Sequence, residues 1–196
     1  MKRALAISAA CLALGTASGA AFAALAPGAA APAFSAPAAL GGHELKYSLT
    51  DELRKGPVVV YFYPSAFTGG CDREAHAFAE QMDQFHKAGA TVVGVSLDSV
   101  QRLVDFSADP QYCAGKVLEV SDADGAIAKS YDVAVSAGKD DATDVRGQKI
   151  GHGFAERTTF VVGKDGKVAA SISHVSPEDH VGQALAAVQK LGKPGA

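Results

Sequence analysis

The chain contains no tryptophan, two methionines and three cysteines among 196 residues. It has no lysine- or arginine-rich block either: 18 basic residues face 21 acidic ones, for a formal charge of −3. That balance gives nucleic-acid binding no electrostatic footprint. No internal repeat is visible. There is no C-x-x-C pair, the spacing a dithiol-exchange site needs so that a second thiol resolves the mixed disulfide. The histidines His43, His76, His86, His152, His174 and His180 are scattered, without metal-ligand spacing to a cysteine. What remains is a length suited to one domain with one sizeable core, and 48% hydrophobic residues to fill it.

One long uncharged run stands at the start. "MKRALAISAACLALGTASGAAFA" has two cations, an apolar small-residue stretch and an A-x-A site at Ala21–Ala23. This is the layout of a secretory signal peptide cut before Ala24. A membrane helix fits less well, because the run is short, rich in alanine and glycine, and lacks a basic flank after it. A lipoprotein attached through Cys11 fits less well too, since "SAAC" lacks the expected leucine and comes too early. The expectation is an exported protein of the bacterial periplasm, free of the membrane after cleavage. Residues 1–23 are the signal, 24–42 an alanine- and proline-rich extended leader, and 43–196 the folded domain. Cleavage leaves Cys71 and Cys113. In an oxidising compartment two cysteines read first as a structural disulfide, but a core of this size does not need one bridge, so a redox role stays open.

Period and punctuation supply the elements. "VVVYFY" (58–63) is a continuous apolar run, as a strand buried on both faces requires. From Cys71 to Lys87 the apolar residues Ala75, Phe78, Ala79, Met82 and Phe85 recur at helical steps. "TVVGVSL" and "KVLEVSD" are further strands, and short helices are expected after Ser99 and over "GAIAKSYDV". Residues 136–156 are polar and rich in glycine and aspartate, a disordered loop or a lid. "RTTFVV" and "KVAASIS" flank a Lys164-Asp165-Gly166 hairpin turn. Ser176-Pro177 then opens a last helix with apolar Val181, Ala184, Leu185, Val188 and Leu191. The order β-α-β-α-β-α-β-β-α predicts an α/β fold, a mixed central sheet flanked by helices on both faces.

The stretch that carries chemistry is "YPSAFTGGC". Pro64 ends the strand, a loop follows at the strand's carboxyl end, and Cys71 heads the helix. Unpaired amides and the helix dipole there favour thiolate over thiol. A free thiol titrates at about 8.5, and this placement predicts roughly 4–7. The ordinary alternative is a small buried apolar cysteine.

Pro64-x-x-x-Thr68-x-x-Cys71 resembles the P-x-x-x-T-x-x-C signature of the peroxiredoxins, thiol peroxidases on a thioredoxin-like fold. "APAF" (31–34), "VSD" (120–122), "AKSYDV" and Arg157 in "RTTFVV" are similar to the family pattern, so the resemblance runs from about residue 31 to the end. It implies that Cys71 attacks a peroxide and becomes a sulfenic acid. It also implies that Thr68 orients the peroxide and Pro64 shields the pocket. Arg157 then holds the thiolate and the departing oxygen, and Glu74 orients Arg157. Taken singly, Thr68, Glu74 and Arg157 also read as a loop hydroxyl, a first-turn acid and a surface cation.

In the bacterioferritin-comigratory-protein branch a second cysteine lies five residues after the first; here that position is His76. Cys113 is the other mature cysteine, in a place similar to the resolving cysteine of thiol-peroxidase-type members. A buried spectator and a permanent bridge remain open for it. The resemblance implies a peroxide substrate, a thioredoxin-like or other thiol reductant, a monomer or weak homodimer, and no metal, haem or flavin. The rivals are an envelope thioredoxin-like oxidoreductase, weakened by the missing C-x-x-C, and a non-catalytic redoxin or metal chaperone, weakened by the scattered histidines. A glutathione-peroxidase-like reading is weakened by the missing tryptophan.

Overall fold

A computed structural model describes residues 24–192. The signal peptide expected over residues 1–23 lies outside them. A seven-stranded sheet in the order β2-β1-β5-β4-β3-β8-β9 carries the fold. Its strands are β1 (Ser35–Leu40), β2 (His43–Ser48), β3 (Val58–Phe62), β4 (Thr91–Ser96), β5 (Leu118–Ser121), β8 (Thr158–Val162) and β9 (Val168–Ser173). Strands β3, β4 and β5 run parallel, and β8 and β9 are antiparallel to their neighbours, as the crossovers and the late hairpin predict.

Helices cover both faces. On one, α2 (Gly69–Lys87), α3 (Val100–Ala108) and α5 (Pro177–Leu191) bury Phe78, Phe85, Leu103, Phe106, Val181 and Val188 against Tyr61, Val59 and Val161. On the other, Leu49 of α1 (Leu49–Lys55) and Ile127 and Ala128 of α4 (Ala126–Ser130) meet Val58, Val60, Phe62 and Val95. Every residue of β3 is buried, so its unbroken apolar run reflects two covered faces. Ser99 and Ser176 cap α3 and α5 by accepting from the Arg102 and Asp179 amides. Leu191, expected on the inner face of α5, is instead 41% exposed as the helix's last residue.

Two expectations change. The leader over 24–42 is extended but not outside the fold: β1 pairs β2 along its length and lies beside β5 through Ala38 and Ala39. Those small side chains are fully buried, and α3 packs over the strand. The polar stretch 136–156 is likewise ordered. It closes with a two-stranded sheet of β6 (Val135–Ser136) and β7 (Phe154–Ala155). Among the described residues no helix is long and apolar enough to cross a membrane.

Candidate active site

The parallel strands bring their carboxyl ends to one edge. There the chain after β3 turns through Pro64, Ser65, Ala66 and Phe67, the last in the left-handed region at φ 57°. The Thr68 carbonyl accepts from the amides of Cys71 (2.8 Å) and Asp72 (3.0 Å). Helix α2 therefore begins at Gly69, two residues earlier than expected, and Cys71 sits inside its first turn. The Thr68 hydroxyl does not cap the helix but donates to the Ser65 carbonyl at 2.7 Å.

Strand register delivers the arginine. Phe62 pairs with Thr158, so Arg157 lies just beyond the end of β3, beside the loop that holds Cys71. Its Nη2 donates to Cys71 Sγ at 3.3 Å, and its Nη1 donates to Glu74 Oε2. Glu74 lies one helical turn after Cys71, so the two acids present themselves to one guanidinium. Gly70 makes the room, since a Cβ there would stand 3.2 Å from Arg157 Nη2. The structure thus brings Cys71, Thr68, Glu74 and Arg157 together, with Pro64 half-buried beside them.

The expected low thiol pKa is not met in this closed site. Cys71 is only 3% exposed. Burial pushes its thiol up, and the Arg157 charge, the Ser65 amide and the Thr68 hydroxyl pull it down without overcoming burial. The helix-start rule applies to a solvated thiol, whereas here the loop covers the sulfur. Burial likewise pushes the Glu74 carboxyl up against the pull of Arg157, and among the described residues Glu74 Oε1 has no hydrogen-bond partner. One cation faces two buried acids, so the trio readily holds a single negative charge. The proton that leaves Cys71 is a property of the trio rather than of the thiol alone.

Cys113 is turned elsewhere. It is free, like Cys71, and fully buried in the same apolar cluster. Its Sγ donates to Glu119 Oε1 at 3.2 Å, while Tyr61 and Tyr63 donate to Glu119 Oε1 (2.6 Å) and Oε2 (2.8 Å). This network was missed from sequence, although a lone glutamate inside the apolar strand "KVLEVSD" was its signal.

His152 and the 136–156 stretch also find their place. Asp98, fully buried just past β4, accepts from Ser65 Oγ (2.9 Å) and the Ala66 amide (2.8 Å). Its Oδ1 also meets His152 Nε2 at 2.9 Å and Arg102 Nε at 2.8 Å. Arg102 in turn bridges to Asp144 Oδ2 at 2.8 Å. The Val145 amide donates to the Phe67 carbonyl at 2.9 Å, and the Arg146 guanidinium covers the Phe67 ring at 3.3 Å. The segment is therefore strapped to the loop that shapes the Cys71 site.

Burial would hold the His152 imidazolium down, but Asp98 and the Gly153 carbonyl outweigh it and push its pKa up. A histidine with a raised folded pKa stabilises the fold fully below its unfolded value, about 6.5, and loses that contribution as pH rises through the folded value. Amide hydrogen exchange in residues 139–153, corrected for intrinsic rates, is thus expected to accelerate as pH rises through that window. His152→Ala removes the step. Equal protection on both sides of the window in the wild type would show that the histidine does not hold the strap.

Residues 27–171 match the family model described as the AhpC/TSA family. A protein of Mycobacterium tuberculosis that carries the peroxiredoxin name is 35% identical over 161 residues, 80% of this chain and 90% of its own length. The crystal structure of the peroxidoxin BcpB from the same organism superposes with a TM-score of 0.68 at 30% identity, covering 84% of this chain and 96% of that one. Peroxiredoxin Q of Xanthomonas campestris superposes with a TM-score of 0.63 at 30% identity, over 80% and 91% of the two chains. The sheet and its flanking helices are the thioredoxin-like fold these neighbours share. The chain belongs to the AhpC/TSA family, as a thiol peroxidase of the peroxiredoxin Q and bacterioferritin-comigratory-protein kind.

Proposed function

We propose that this peroxiredoxin reduces hydrogen peroxide and small organic hydroperoxides at Cys71, and that Cys113 then resolves the oxidised cysteine as an intramolecular disulfide. The observation that carries the first half is the Arg157 guanidinium, shared between Cys71 Sγ at 3.3 Å and the Glu74 carboxylate. Ionised Cys71 attacks one peroxide oxygen; the S–O bond forms as the O–O bond breaks, and water or an alcohol leaves with the proton. Arg157 lies where negative charge builds on the departing oxygen. The Thr68 hydroxyl has one hydrogen. It serves the Ser65 carbonyl at rest and turns to the sulfur or the peroxide when charge develops there. Pro64 and the strap around Phe67 keep water from the sulfenic acid.

A thioredoxin-like or other thiol reductant would reopen the disulfide. Removal of residues 1–23 on export would leave the enzyme in the periplasm, as a monomer or weak homodimer.

The test is a single turnover of the reduced, processed protein with one equivalent of hydrogen peroxide, read by intact mass and free-thiol count. The wild type is expected to lose the mass of two hydrogens and both thiols. Cys113→Ser is expected to gain one oxygen, and Cys71→Ser to stay unchanged. Loss of both thiols through disulfide-linked dimers between chains would overturn the intramolecular step; a reactive Cys71→Ser would overturn the site.

A further inference from the structure

Glu119 is a carboxylate fully buried in the core, and among the described residues no cation enters its hydrogen-bond network. It faces Gly94 across β5 and β4, and Gly94 faces Tyr61 across β4 and β3. Because Gly94 has no side chain, Tyr61 reaches over it to Glu119 Oε1; a Cβ there would collide with Glu119 Oε2 and stand 2.7 Å from the Tyr61 hydroxyl oxygen. Tyr63, stacked on Tyr61 at 5.4 Å, holds the other oxygen. Three donors thus converge on a fully buried carboxylate, and the third is the Cys113 thiol.

Cys113 must lose its proton before it attacks a sulfenic sulfur, because the thiolate is the nucleophile. Ionising it beside a charged Glu119 would create a second negative charge in the core, and burial together with the Glu119 charge pushes its pKa well up. Passing the proton to Glu119 avoids that. One charge moves 3.2 Å and none is added. A protonated Glu119 is neutral, so the core is not left with a carboxylate short of a donor when Cys113 swings away.

We propose that Glu119 is the proton acceptor that activates Cys113 for disulfide formation. The proposal rests on Cys113 being the resolving cysteine. As the Cys113 thiol proton passes to Glu119, Cys113 Sγ bonds to Cys71 Sγ and the S–O bond breaks. Hydroxide leaves as water, with a proton that Glu119 ultimately returns through solvent. The Cys113 sulfur is oxidised and the Cys71 sulfur reduced, so electrons balance within the pair.

Among the described residues, the groups with the strongest influence on this site are acids and phenols, while the cations Arg102 and His152 stand behind Asp98. Asp98 and Glu74 lie within electrostatic reach of Glu119, and Asp72 and Asp109 within reach of Cys113. Burial pushes the Glu119 carboxyl up to about 7, opposed by the Tyr61, Tyr63 and Cys113 hydrogen bonds. Tyr61 and Tyr63 are themselves pushed well up by burial and stay protonated donors.

The experiment mixes reduced protein with excess hydrogen peroxide, quenches at set times, and reads sulfenic acid and disulfide by intact mass across a pH series. In the wild type the disulfide phase is expected to speed up through neutrality and level off above it, following Glu119 rather than a thiol. Glu119→Gln should slow this phase about a hundredfold or more, the usual scale of a lost general base, and abolish the plateau. Tyr63→Phe removes one donor to the carboxylate and should move the midpoint to higher pH. The oxidation phase of Cys71 in the same trace reports whether each variant keeps its folded site. A disulfide phase in folded Glu119→Gln as fast as wild type overturns the proposal and leaves Cys113 as the resolving cysteine. So does a wild-type rate that climbs without a plateau through the thiol range. A wild type that forms no Cys71–Cys113 disulfide overturns both readings together.

Discussion

Replacing Arg157 by leucine is expected to lower the rate constant for Cys71 oxidation by hydrogen peroxide about 10²–10³-fold, the cost of removing a preorganised donor from developing charge. Arg157 touches the sulfur at 3.3 Å and is the largest single influence pulling the thiol pKa down against burial. Its loss therefore acts twice, on the fraction of thiolate and on the oxygen that departs. Lysine at the same place keeps the charge but not the fork. It presents one nitrogen where the guanidinium presents Nη1 to Glu74 and Nη2 to Cys71, so only part of the rate should return. The variant also strands a fully buried Glu74, and breaking a buried pair costs roughly 3–5 kcal/mol. Arg157→Leu combined with Glu74→Leu separates the two effects: stability should recover and the rate should not. Recovery of the rate in the double variant would mean that Arg157 serves only to neutralise Glu74. Since the chain has no tryptophan to follow by fluorescence, the rate is read by chemical quench and intact mass.

Gly94→Ala is expected to destabilise the protein by about 3 kcal/mol, the upper range for over-packing a filled core. The added methyl meets Glu119 Oε2 and the Tyr61 ring within a layer where every side chain is buried. To admit it, the Tyr61–Glu119 hydrogen bond at 2.6 Å must break, leaving a buried carboxylate short of a donor. For a chain of this size that corresponds to a melting temperature lower by roughly 6–12 °C. A calorimetric scan decides it. An unchanged melting temperature would mean that the Tyr61–Gly94–Glu119 row relaxes freely around the added methyl.

The strand–loop–helix unit around Cys71 was legible because local rules act there. An unbroken apolar run must be buried on both sides, Pro64 must end a ladder, and a residue signature fixes the spacing. Arg157 was legible only through the family likeness, since nothing local says that the residue before β8 meets the end of β3; that follows from the pairing of Phe62 with Thr158. Other features were hidden for stated physical reasons. Strand β1 has the sequence "SAPAAL", poor in β-formers, and is held by partners on both sides and by α3 over its alanines. Helix α1 carries its own end signals, with Ser48 accepting from the Asp51 amide and Arg54 and Lys55 in its last turn, but seven largely polar residues with Leu49 buried are too few for a helical period to show. The Asp98 cluster joins residues 33 and 54 positions apart, beyond the reach of any periodicity. The thiol pKa was misjudged because helix position is a local property and burial of the covering loop is not.

On the proposed mechanism Cys71, held by Arg157 in a covered pocket, is a dedicated peroxide-reactive thiol. Its most direct measurement is the second-order rate constant of the first step in the single-turnover experiment, taken at neutral pH and set beside that of free cysteine. Cys71 is expected to react several orders of magnitude faster than free cysteine, despite a pKa that burial holds up, because Arg157 and Thr68 act on the transition state. A Cys71 no faster than free cysteine would contradict that mechanism, and the site would be a peroxiredoxin scaffold without the chemistry.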